Sequence, residues 1–194
     1  MNFTKLAQIF KKDDWVSVGL YDQLEDLWFI TNKYLIVFTD NEGVQDFISK
    51  FNSYKSTTSF NFKELYRRQK YTVKEQGGFA ECPDIESTIP EFKEISKLKK
   101  TRLEFNGHII LNVEDKKENN IVIVDEDYYN FLSGLHFYTD FSEKVSKYPL
   151  KIYSRKIGDQ RYDDKSYLKA VLRPTNPKLK DFNNLKEKII NELN

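Results

Sequence analysis

Three short segments of this chain open in the same way. Asn2-Phe3-Thr4-Lys5-Leu6, Glu91-Phe92-Lys93-Glu94-Ile95 and Asp181-Phe182-Asn183-Asn184-Leu185 each place a polar, capping-type residue before Phe, then two polar residues, then Leu or Ile. The three phenylalanines are spaced by 89 and 90 residues. Apolar residues continue at helical spacing from each: Leu6, Ile9 and Phe10 in the first, Ile95 and Leu98 in the second, Leu185, Ile189 and Leu193 in the third. A period this long exceeds that of solenoid repeats. It predicts two tandem copies of a small α+β unit, closed by a helix from Asp181.

The segments between these openings repeat as well. Residues 15–20, 27–30 and 34–38 alternate or run apolar as strands, with Asn32-Lys33 as a turn. Thr39-Asp40-Asn41-Glu42 has the capping-box pattern, in which Thr and Glu satisfy free N–H groups at a helix start. Val44, Phe47, Ile48 and Phe51 supply that helix's apolar stripe. In the second half, 102–105 and 108–113 flank Asn106-Gly107, a pair that tolerates positive φ at both turn positions and so marks a hairpin. Residues 121–124 form a third strand, and Asp125-Glu126-Asp127 opens a helix that stops at Gly134. Asp46-Phe47-Ile48-Ser49 and Asn130-Phe131-Leu132-Ser133 lie 84 residues apart at matching places. The predicted fold class is α+β: internally duplicated α-βββ-α-ββ units with mainly antiparallel sheets. The units are 1–89 and 90–194, either as separate domains or as one continuous domain. Gly77-Gly78 and 82–90, with two prolines, form the most linker-like stretch.

Charge narrows the function classes. Net charge is +1, with −2 in residues 1–89 and +3 in 90–194, so neither half carries a global field for nucleic acid or membrane. An aromatic content of 15% argues against disorder. Cys82 is the single cysteine, which excludes a disulfide framework. No apolar run approaches the roughly 20 residues of a bilayer span, and the expected place is the cytoplasm, or a host cytoplasm for a viral chain.

The pattern nearest to an active site is Asp84 with Glu114 and Lys116. An Asp and a Glu-x-Lys on neighbouring strands can hold Mg²⁺ and orient a water, as in restriction-type nucleases. Asp84 sits in the linker-like stretch, however, and Glu114 and Lys116 border a polar loop. His108 and His136 have no partner at ligand spacing, so no metal site and no cofactor are expected. Tyr66-Arg67-Arg68-Gln69-Lys70-Tyr71 mixes cations with aromatics, and Lys93, Lys97, Lys99 and Lys100 of the expected helix, with Arg102 just after it, form a second basic stretch. Nearby Glu64, Glu75, Glu91 and Glu94 dilute both.

The order α-βββ-α-ββ-α resembles that of type III secretion chaperones, small non-catalytic proteins that bind an unfolded partner segment; this chain would hold two copies. Duplicated α+β units with Lys-bearing helices also resemble the sliding-clamp subunits of DNA polymerases, although clamps place four strands between helices where this chain has about three. The expectation is a non-enzymatic intracellular protein-binding module of immunity, inhibitor or phage accessory type, which occupies a partner protein's surface through its aromatics. The alternative is a nucleic-acid protein, either sliding-clamp-like or a divergent Mg-dependent nuclease using Asp84, Glu114 and Lys116.

Overall fold

The computed structural model describes residues 1–13, 15–22, 25–32, 34–54, 70–74, 79–80, 85, 88–89, 91–92, 95–113, 121–140, 149–156 and 167–175. They form mixed helix and antiparallel sheet, divided into two compact units. Unit 1 comprises Met1–Ile89 with Leu168–Leu172, and unit 2 comprises Pro90–Tyr167 with Arg173–Asn194.

Unit 1 begins with α1 (Phe3–Phe10), whose Asn2 carboxamide accepts the Lys5 N–H at 3.1 Å. Strands β1 (Trp15–Asp22), β2 (Leu27–Thr31) and β3 (Leu35–Thr39) form a meander, followed by α2 (Asn41–Tyr54), β4 (Lys70–Lys74) and β5 (Phe79–Ala80). The strand order is β5-β4-β1-β2-β3-β11, where β11 is the late segment Leu168–Leu172, and every pair is antiparallel. Residues 35–38 are buried without alternation, as in a strand covered on both faces. Helix α1 sets Phe3, Leu6, Ala7, Ile9 and Phe10 in the core, and α2 sets Val44, Phe47, Ile48 and Phe51 there. Phe10 meets Phe47 edge to face at 5.9 Å, and Phe47 stacks on Phe51 at 5.5 Å. Each fully buried ring contributes roughly 1.5–3 kcal/mol. The two helices approach closely because α2 carries Gly43: a Cβ there would lie 2.8 Å from Cζ of Phe3 and would also collide with the Thr39 hydroxyl. The cap of α2 is Asp40, the acidic residue directly after the preceding strand, and not Thr39 of the capping-box pattern. Its carboxylate accepts the Gly43 N–H at 2.9 Å, and its carbonyl accepts the first helical bond, from Val44.

Unit 2 contains β6 (Ile95–Phe105), β7 (His108–Val113), β8 (Ile121–Asp125), α3 (Glu126–Phe131), β9 (His136–Asp140) and β10 (Leu150–Tyr153). Its order is β10-β9-β6-β7-β8, again antiparallel. Here the expected helix over 91–100 is corrected: Glu91 and Phe92 are not helical, and a strand runs from Ile95. Phe92, Ile95 and Leu98 have helical spacing, but β6 finds partners on both sides, β9 through Ile95–Lys97 and β7 through Leu98–Phe105. The Asn106-Gly107 turn fixes the second pairing, with φ of 45° and 75° at its central residues. Strand β6 shifts register between Lys100 and Glu104. Within the shift, the Thr101 hydroxyl donates to the Ile110 carbonyl at 3.0 Å and accepts the Leu103 N–H at 3.2 Å, standing in for a ladder bond. Asp125 caps α3, accepting from the N–H groups of Asp127 and Tyr128. Thr175 donates its N–H to the Ile123 carbonyl on β8 at 2.8 Å.

The strand His136–Asp140 was not expected, and it, with β10, follows α3 as β4 and β5 follow α2. The expected closing helix from Asp181 lies outside the described residues.

Candidate interaction surface

Asp84, Glu114 and Lys116 all lie outside the described residues, as do Cys82, Lys93 and the stretch Tyr66–Gln69. Among the described residues, no group of three or more His, Cys, Asp or Glu side chains could hold a metal ion. His108 follows the hairpin turn, its Nδ1 lying 3.0 Å from the Asn106 carbonyl and 3.2 Å from that of Phe105. His136 opens β9 opposite Tyr153. The two histidines therefore serve different strands at different register positions. Lys97, Lys99 and Lys100 sit on β6 rather than on the expected helix, on the same strand as Arg102, with Lys99, Lys100 and Arg102 exposed. The Glu104 carboxylate, hydrogen-bonded to Lys100 at 2.8 Å, holds that ammonium above its usual range. The Lys100 ammonium also lies 5.6 Å from the centre of the Tyr129 ring.

Unit 2 has one sheet face rich in titratable groups. Directly opposed residues of an antiparallel pair share a face. Ile95 opposes Asp140, Lys97 opposes Tyr138, Tyr138 opposes Lys151, and His136 opposes Tyr153. The other face carries Leu98, Phe137, Thr139, Leu150 and Ile152, with Phe137 stacked at 5.2 Å on Tyr129 of α3. Most of the titratable face is buried: Tyr138, Asp140, Lys151 and Tyr153 are each 3% exposed or less, with Lys97 and His136 half-buried at its margin. Lys151 places its ammonium 4.6 Å from the centre of the Phe92 ring, and Tyr138 meets Tyr153 edge to face at 5.6 Å. Phe92, expected as a core residue of a helix, thus covers a buried cation instead.

The most open chemistry among the described residues is at one end of unit 1. Tyr34 and Tyr54 are 42% and 39% exposed, and only they and Met1 are exposed large hydrophobics there. Tyr54 ends α2. Its hydroxyl accepts a hydrogen bond from the Gln8 carboxamide at 3.1 Å, and the Lys11 ammonium lies 5.1 Å from its ring centre. Two residues beyond Lys11, Asp13 accepts a 2.7 Å hydrogen bond from the Asn32 amide nitrogen. Asn32 in turn accepts the N–H groups of Tyr34 at 2.9 Å and Leu35 at 2.8 Å. The end of α1 is therefore tied to the end of α2 through Gln8, Lys11 and Tyr54, and the chain leaving it is tied to the β2–β3 turn through Asp13 and Asn32. Lys11-Lys12 is visible in the sequence as a helix ending. Tyr54 prolongs the stripe of Val44, Phe47 and Phe51 to the point where the core stops, and its role follows only from the packing of α1 on α2.

The described elements define an α+β protein, and none of their helices is long and apolar enough to cross a membrane. Comparison with protein-family models, curated proteins and solved structures found no match.

Proposed function

We propose that this chain is a non-enzymatic protein-binding module that occupies a partner's surface, as immunity proteins, inhibitors and phage accessory proteins do. The observation that carries the reading is the pair Tyr34 and Tyr54, exposed at one end of unit 1 with the Tyr54 ring already held by Gln8 and Lys11. Tyrosine is enriched among the residues that dominate interface energies, and an aromatic fixed before binding loses little entropy on association.

We also propose that the two units are copies of one module. Support comes from the strand order, third strand to last: β3-β2-β1-β4-β5 in unit 1 and β8-β7-β6-β9-β10 in unit 2. In both, the helix follows the third strand and is capped by an aspartate, Asp40 or Asp125. The shared module in this reading is βββαββ, with α1 an addition to the first copy.

The test of binding is capture from the native source with the full chain as bait, comparing it with a Tyr34→Ala/Tyr54→Ala variant. A stoichiometric protein partner that the variant fails to retain supports the reading. A bait that emerges alone at native concentration overturns it. The second reading, a nucleic-acid protein, draws on Lys99, Lys100 and Arg102 exposed on one strand beside Tyr129. Binding to single-stranded DNA that weakens steeply with salt would favour it over the first.

A further inference from the structure

We draw no further inference here: the strongest candidate, the exposed basic stretch of β6 formed by Lys99, Lys100 and Arg102 beside Tyr129 of α3, carries nothing beyond the second reading above, because Glu104 of the same strand already binds the Lys100 ammonium, so the patch is of mixed charge, and nothing in the structure shows what covers it.

Discussion

The Asn32 side chain donates a 2.7 Å hydrogen bond to Asp13, tying the turn between β2 and β3 to the chain leaving α1. Asn32 is 4% exposed, and its oxygen also accepts the Tyr34 and Leu35 N–H groups. The Thr31 hydroxyl donates to the Leu35 carbonyl at 2.9 Å within the same turn. Removing the carboxamide takes one hydrogen bond from each of two backbone donors and from the Asp13 carboxylate at once.

Asn32→Ala should therefore destabilise unit 1 by about 2–4 kcal/mol, since each orphaned buried group costs roughly 1–3 kcal/mol and some regain water. Urea unfolding should show a lower midpoint at unchanged slope. Asn32→Asp should be worse, because it sets a second carboxylate against Asp13. A midpoint unchanged in Asn32→Ala would mean that the turn holds without its side chain.

Gly43 gives a second prediction, and its sign is opposite to that of helix propensity. Alanine in a helix interior is favoured over glycine by about 1 kcal/mol. At this position the added methyl would meet the Phe3 ring and the Thr39 hydroxyl. Gly43→Ala should lower stability by about 1–3 kcal/mol, the usual cost of overpacking. Shortening the opposing side chain should recover part of the loss, so Phe3→Leu/Gly43→Ala should be less destabilised than the sum of its single variants. Strict additivity would show that the two sites do not touch.

These two sites also mark what could be read in advance. The stripes of α1 and α2, the continuous apolar strands β2 and β3, and the Asn106-Gly107 hairpin were all legible, because each is dictated by local periodicity or by a φ requirement. Residues 91–100 were not. Phe92, Ile95 and Leu98 satisfy a helical period, while the strand that starts at Ile95 is set, over residues 95–100, by partners on β7 and β9, 11 to 45 residues further along the chain. Strand β9 was hidden for a different reason. His136, Tyr138 and Asp140 give one polar edge to its pattern, yet that face is buried against Phe92, Lys151 and Tyr153 rather than wet. Of the candidate surface, the lysines were visible and the aromatic grouping was not, since Gln8, Lys11 and Tyr54 meet only when α1 packs on α2.

The Lys100–Glu104 pair predicts a titration. Its hydrogen bond is the largest cause of the raised Lys100 pKa, with Coulomb attraction from Glu104 adding to it. Glu104→Gln should bring the Lys100 pKa back down, measured from the ¹⁵Nζ resonance across an alkaline titration. The sign of the linkage follows from a folded pKa above the unfolded one. The stabilisation is fully present below the unfolded value near ~10.4 and is lost as pH rises through the folded value. Both side chains are solvent-exposed, so added salt should shrink the shift. A Lys100 titration unmoved by Glu104→Gln would break the assignment.

Thr139 carries the last prediction. Its hydroxyl is completely buried on β9 and has no hydrogen-bond partner among the described residues, on the sheet face that also holds Phe137, Leu150 and Ile152. Burying an unpaired hydroxyl costs roughly 1–3 kcal/mol, whereas a methyl of the same shape costs nothing in desolvation. Thr139→Val keeps the β-branch and the strand preference while removing the polar atom. It should leave stability unchanged or raise it by up to about 2 kcal/mol, read as a higher urea midpoint with the same slope. Thr139→Ser keeps the hydroxyl and deletes the methyl, so it should lower the midpoint. If Thr139→Val were instead destabilising, the hydroxyl must be satisfied in solution, and the cost of the substitution would measure that bond.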